Sequence, residues 1–128
     1  MISIEKMTDE QIVKELAEKG MKWEYHYIVA GVKYWAHEEG GWRTTGGKSD
    51  LSWNPIRYPA DRDMLVEAML GMGWDFIRRS EHVDCEYWNN IVVFDGNDVG
   101  EFAHEDDNLN RAVSLAALKA IRAMKENE

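Results

Sequence analysis

A glycine-rich segment in the first half of the chain carries the residue types best suited to chemistry on an anion. It reads Gly41-Trp42-Arg43-Thr44-Thr45-Gly46-Gly47-Lys48-Ser49 and superficially resembles a phosphate-binding P-loop. The spacing differs from that motif by an extra glycine, and the segment leads into Asp50-Leu51-Ser52-Trp53 rather than into a helix. Because no helix amino terminus follows to hold phosphates with its dipole, we exclude a nucleotide hydrolase.

A weaker role in anion binding stays open for the same segment. A glycine loop that carries basic side chains could fold over an anionic ligand, with guanidinium groups pairing to it and indole rings offering a stacking face. The alternative is an ordinary surface hairpin with no ligand. If the segment does bind a ligand or a partner, the candidate residues are Trp42, Arg43, Lys48, Trp53 and Arg57.

Histidines next to acidic residues are the other groups that could do chemistry. His37, His82 and His104 each lie within a short acidic stretch. A catalytic zinc needs about three converging ligands, and no His-x-x-x-His or Cys-x-x-Cys pair fixes such a geometry here. A lone cysteine, Cys85, at the start of a strand is typical of an inert core residue. We therefore predict solvated acidic loops with exposed histidines, no metal site, no cofactor and no catalytic residue.

Composition and charge limit the partners. The 128 residues suit a single domain, residues 1–128, and acidic residues outnumber basic ones 24 to 15, for a formal charge of −9. That balance argues against duplex nucleic acid and against an anionic membrane surface. It leaves open a basic protein partner, or a small anion held by a local basic cluster. A single cysteine and the lack of a signal peptide or membrane span predict a cytoplasmic location.

A short phrase occurs twice, as Gly20-Met21-Lys22-Trp23 and as Gly71-Met72-Gly73-Trp74. Each copy ends a helix-like stretch and begins a strand-like one, so glycine with positive φ is expected at both helix ends. The two copies indicate either an internal duplication or simply two good helix stops. We expect the tryptophan that follows to pack back over the helix.

Periodicity predicts the elements that must position these groups. A Thr8 capping box begins a first helix from Asp9 to Lys19, Asp61 caps a second helix that ends at Gly71 and Gly73, and Asn108 caps a third. Strand-like segments and an irregular stretch from Glu38 to Pro59 lie between these helices. The predicted strands are Met21–Val29, Val32–His37, Trp74–Arg79, Glu86–Phe94 and Val99–His104, with a short strand possible at Trp42–Thr45; the third helix spans Leu109 to about Lys125.

The predicted fold class is therefore α+β, an antiparallel sheet with three amphipathic helices packed on it, in the order α-ββ(β)-α-βββ-α. With these residues placed, the chain resembles the phage ABA sandwich domain, a family of small bacteriophage and prophage proteins. The resemblance is carried by the Asp9-Glu10-Gln11-Ile12-Val13 helix that runs to Gly20, by Trp53-Asn54-Pro55, by the Asp61 to Leu70 helix and by the alanine-rich Arg111 to Leu118 stretch. It implies an α-β-α sandwich and a phage origin, and it transfers no active site.

From these observations we predict a non-enzymatic phage- or prophage-encoded binding protein in the host cytoplasm that acts on a host macromolecule, such as a host protein, or on an antiviral defence pathway. A second hypothesis is a sponge-like protein that sequesters a nucleotide-like signal. A third is a structural or oligomer-forming phage component. A homodimer also stays open, because six tryptophans exceed what a core of this size needs.

Overall fold

The computed structural model describes the backbone of residues 3–21, 24–29, 32–36, 42–44, 53–83, 87–96 and 98–126, and the side chains of 3–21, 53–79, 90–96 and 98–124. The chain begins with a 3-10 helix, Ile4–Lys6, and the first α-helix is followed by a π-helical turn, Leu16–Gly20. The helices are α1 (Asp9–Glu15), α2 (Pro59–Gly71) and α3 (Leu109–Glu126). The strands are β1 (Glu24–Val29), β2 (Val32–Ala36), β3 (Trp42–Thr44), β4 (Asp75–Val83), β5 (Tyr87–Gly96) and β6 (Gly100–Asp106).

The strands pair into two antiparallel sheets of three strands each, in the orders β1-β2-β3 and β4-β5-β6. The predicted α+β class and the order of the elements are confirmed, and the short strand around Trp42 is present. Within the described residues, α2 separates the strands of the first sheet from those of the second along the chain. β5 and β6 extend beyond their predicted ends, because their backbone pairing continues to Gly96 opposite Gly100 and to Asn90 opposite Asp106.

The first helix begins as predicted but ends differently. The Thr8 hydroxyl accepts from the Gln11 amide at 3.2 Å and the Gln11 side chain accepts from the Thr8 amide at 2.9 Å, which is a complete capping box. The α-helix then widens into the π-helical turn instead of continuing to Lys19. Gly20 does not have positive φ there. A Cβ on Gly20 would lie 3.0 Å from Cδ1 of Ile121, so this glycine lies in close contact with α3.

The entry to α2 is built around Asn54. Its side-chain oxygen accepts from the amides of Ile56 and Arg57 at 3.0 and 3.1 Å, and its carbonyl accepts from the Tyr58 amide at 2.8 Å. The predicted capping role of Asp61 is wrong, because the helix begins at Pro59 with Tyr58 as its N-cap. Proline at the first helical position has no amide that needs a partner, so the cap and the helix start lie three residues earlier than predicted.

The end of α2 is a Schellman motif, in which the backbone turns back through one left-handed residue. Gly73 has a φ of 96°, its amide donates to the Leu70 carbonyl at 3.0 Å, and the Trp74 amide donates to the Met69 carbonyl at 3.1 Å. The Trp74 ring then lies against Gly96 in the β5-β6 hairpin. The two Gly-Met phrases therefore use glycine for different reasons, close packing at Gly20 and backbone conformation at Gly73.

α3 is the centre of the described core. It packs on β5 and β6 and also contacts α1, the π-helical turn and α2. Asn108 caps it as predicted, accepting from the Arg111 amide at 3.2 Å. Its middle is buried on several sides, and the Ser114 hydroxyl there donates to the Asn110 carbonyl at 2.8 Å. The buried apolar residues of this helix are Ala112, Val113, Leu115, Ala116, Ala117, Leu118, Ala120 and Ile121.

Two glycine-to-alanine substitutions should have opposite effects on stability. A Cβ on Gly96 would lie 2.7 Å from Cζ3 of Trp74, and Trp74 is 3% exposed. We expect Gly96→Ala to lower the free energy of unfolding by about 1–3 kcal/mol, because a buried indole must move. In the matched control, Gly71→Ala, the new Cβ meets nothing within 4 Å. It should raise stability by about 0.5–1 kcal/mol, as alanine does in a helix. Urea unfolding measures both, and equal effects would contradict the packing of Trp74 on Gly96.

Loss of the Asn54 side chain should destabilise the entry to α2. Asn54→Ala removes the side-chain acceptor of the Ile56 amide and leaves the Arg57 amide with its 3.2 Å bond to the Asn54 carbonyl, so we expect a loss of about 1–3 kcal/mol in urea unfolding. Asp63→Ala is the control, because the Asp63 side chain is 68% exposed and its described partner is Arg62 at the surface. Its effect should stay within about 0.5 kcal/mol. A variant at Asn54 as stable as the control would show that the turn does not depend on this side chain.

Candidate functional site

Of the five sequence-predicted site residues, the structure describes the side chains of two, Trp53 and Arg57. Trp53 is fully buried in the core, so its proposed role as a stacking surface is wrong. Arg57 is exposed, and its guanidinium carbon lies 5.6 Å from the centre of the Tyr58 ring. Trp42 and Arg43 lie on β3, opposite Ala36 and Trp35 of β2, and their side chains fall outside the described residues, as does all of Lys48.

A different site lies between the last strand, the last helix and the amino-terminal 3-10 helix. It is a cleft of about 610 Å³, a size within the usual range for small-molecule sites. We call it the α3–β6 cleft. It is lined by Ser3, Ile4 and Glu5 from the amino-terminal segment, His104 and Asp106 from β6, and Arg111, Leu115, Lys119 and Arg122 from α3.

The helix supplies this cleft through side chains that share one face. Positions 111, 115, 119 and 122 are separated by four, four and three residues, the spacing that aligns side chains along a helix. Three of these residues are cations and the fourth, Leu115, is 4% exposed. A local row of positive charge therefore runs along one edge of a protein whose net charge is −9.

Arg111 is neutralised by carboxylates at the amino-terminal end of this row. Its guanidinium pairs with Asp9 of α1, and its Nε lies 3.6 Å from Oδ2 of Asp106. Asp106 also accepts from the Asn108 amide at 3.0 Å, which holds its carboxylate at the start of α3. Arg111 thus connects α1, β6 and α3.

Arg122 is engaged at the other end. Its Nε donates to Oε2 of Glu15 at 2.7 Å, and a terminal nitrogen donates to Oε1 of the same carboxylate at 3.0 Å. The side chains of Arg122 and Glu15 are 13% and 14% exposed. Hydrogen bonding to Glu15 raises the pKa of Arg122 above its ordinary value. This bidentate pair joins α1 to α3, and its geometry is that of the stronger ion pairs in proteins.

Lys119 differs from both arginines, because its described contacts are with uncharged groups. Its Nζ donates to the Ala103 carbonyl at 2.9 Å and lies 3.1 Å from Nδ1 of His104. An ammonium can only donate, so Nδ1 must be the acceptor and the proton of the neutral imidazole lies on Nε2. Nε2 is 3.9 Å from Oδ2 of Asp106. Among the residues that the structure describes, no carboxylate lies within 4 Å of the Lys119 ammonium.

The environment of His104 favours its neutral form. Burial lowers its pKa below the ordinary value of 6.5, and the Lys119 charge lowers it further. Arg111 acts in the same direction, whereas Asp106 and Glu105 oppose it. The sequence-based expectation of an exposed histidine in an acidic loop is wrong at His104. β6 extends to Asp106, so His104 lies on a strand, and the His104 side chain is 24% exposed.

Local sequence patterns do not predict this cleft. The row at 111, 115, 119 and 122 was visible in the sequence, but a row of cations on a helix is usually a solvated face. His104 was noted without its partner Lys119, which lies fifteen residues further along the chain. Only the packing of β6 against α3 brings the two together.

The described part of the chain contains neither a metal-ligand cluster nor a membrane-spanning helix. No group of three or more His, Cys, Asp and Glu side chains is placed there to hold a metal ion. In the same residues, no helix combines the length and apolar character needed to cross a bilayer.

The pKa of His104 should depend on Lys119. We expect a value below 6.5 in the wild type and a higher value in Lys119→Met, because removal of the ammonium removes a charge that disfavours protonation. NMR titration of the imidazole measures both. Since the folded protein binds this proton more weakly than the unfolded chain, His104 contributes stability above pH 6.5 that is lost as pH falls through its folded pKa.

The matched control is Arg79→Met, which removes an exposed cation on β4 and should leave the His104 titration unchanged. An equal pKa in the wild type and in Lys119→Met would contradict the contact between Nζ and Nδ1.

No protein-family model, curated protein or solved structure matches this chain. The resemblance to the phage ABA sandwich domain therefore stays a prediction, and the α3–β6 cleft is argued from its own geometry.

Proposed function

We propose that this chain is a small non-enzymatic protein that binds an anionic ligand in the α3–β6 cleft. The observation that carries the proposal is the Lys119 ammonium in a cleft of about 610 Å³, where its described contacts are a carbonyl oxygen and a neutral imidazole. The positive charge on Lys119 is thus not cancelled by an adjacent carboxylate, unlike the charges on Arg111 and Arg122. An anionic group of a ligand would provide that cancellation.

The state of His104 favours binding over proton transfer. A general base works best when its pKa lies near the operating pH, and the lowered pKa of His104 makes its imidazole a weaker base. Its Nδ1 is also occupied by Lys119. In a binding site, the same contact holds the lysine side chain in position. Less side-chain conformational entropy is then lost when a ligand binds.

The broader prediction, a phage-encoded protein that acts on a host macromolecule or defence pathway, is retained as part of the proposal. Sequestration of a small anion is one way in which such a protein could act. This keeps the sponge-like hypothesis but moves its site from Arg43, Lys48 and Arg57 to the α3–β6 cleft.

A titration with small anions tests whether the cleft binds anions at all. We expect at least one of acetate, octanoate, inorganic phosphate and AMP to cause saturable shifts of the backbone amides of β6 and α3 in two-dimensional NMR spectra. A bound anion should also raise the melting temperature, because it stabilises the folded state by mass action. The absence of saturable shifts in the cleft with all four anions would overturn the proposed function.

A further inference from the structure

The charges around Lys119 limit which anion the cleft can hold. Arg111 already faces the carboxylates of Asp9 and Asp106, and Arg122 faces Glu15 in a bidentate pair. Among the described cations that line the cleft, Lys119 is therefore the one that can pair with a ligand, and it matches one negative charge on that ligand. A second or third charge would meet the carboxylates of Glu5 and Asp106, which line the same cleft.

The hydrogen-bonding capacity of Lys119 agrees with a single small anionic group. An ammonium has three N–H donors, and the described contacts with Ala103 and His104 occupy two of them. The third suits one oxygen of a ligand. A terminal phosphate dianion offers three acceptor oxygens and two charges, which is more than this donor can satisfy.

The remainder of the cleft is suited to an apolar group. Leu115 lies one helical turn before Lys119 on the same face of α3, and Ile4 of the 3-10 helix lines the same cleft. Leu115 is 4% exposed and Ile4 packs at the edge of the hydrophobic core. A helix rises by about 1.5 Å per residue, so positions 115 and 119 are separated by about 6 Å along the axis of α3.

We propose that the α3–β6 cleft binds an amphipathic monocarboxylate, whose carboxylate pairs with Lys119 and whose apolar chain or ring lies over Leu115 and Ile4. This inference rests on the proposed function and specifies its ligand class. The proposed ligand is therefore a carboxylic acid with a single charge, and not the nucleotide-like signal of the earlier hypothesis.

The test compares ligands that differ in one property at a time. Octanoate has both the charge and the apolar chain, acetate has only the charge, octan-1-ol has only the chain, and pyrophosphate has several charges and no chain. Isothermal titration calorimetry at pH 7.5, with NMR shifts to place each ligand, gives the affinities. We expect octanoate to bind at least tenfold more tightly than the other three.

Variants of the intact protein test the role of Lys119. We expect Lys119→Met to weaken octanoate binding at least tenfold, because methionine keeps much of the aliphatic length and removes the charge. Lys119→Arg should restore part of the affinity. Arg79→Met removes a cation on β4 and should bind octanoate like the wild type, while urea unfolding of each variant verifies that it is folded.

The outcomes separate this inference from the proposed function. Tighter binding of pyrophosphate or AMP than of octanoate in the same cleft would overturn the monocarboxylate and leave an anion site. Equal binding of octanoate and octan-1-ol, or full affinity in a folded Lys119→Met protein, would overturn the carboxylate pairing with Lys119. No binding of any anion would overturn both proposals.

Discussion

The burial of α3 is the constraint on which the rest of the described structure depends. This helix packs on β5 and β6 and also contacts α1, the π-helical turn and α2. Small side chains make that possible, because alanine lets neighbouring elements approach the helix axis from several directions. Gly20 of the π-helical turn also allows a close approach to α3, since a Cβ there would lie 3.0 Å from Cδ1 of Ile121. Close packing at α3 thus determines where small residues are required elsewhere.

The same burial explains why the charged residues of α3 form a site. With the middle of the helix enclosed, the cations Arg111, Lys119 and Arg122 lie along the edge that faces β6 and the amino-terminal segment. Arg111 and Arg122 find carboxylates from α1 and β6, and these ion pairs hold the elements together. Lys119 lies between them and contacts an imidazole instead. The cleft is therefore built from the same residues that join the helix to its neighbours.

Local sequence signals predicted the elements well where a short-range interaction determines the structure. The capping box at Thr8 and the cap at Asn108 each involve residues close together in the chain, and each is present. Predictions were wrong where a local preference had a competitor. Asp61 looked like a helix cap, but its carboxylate accepts from the Asn54 amide at 2.8 Å, since Pro59 starts the helix earlier.

The sequence by itself determined the α+β class, the order of the elements and the ends set by capping and turn residues, because these follow from periodicity and local hydrogen bonding. Tertiary structure alone decided that the glycines at 20 and 73 serve different purposes, that Trp53 is enclosed in the core, and that His104 meets Lys119. These outcomes depend on contacts between residues far apart in the chain, and no local pattern records which distant side chain will be the neighbour. The candidate site belongs to this second group, since a row of cations on a helix becomes a cleft only when a strand packs beside it.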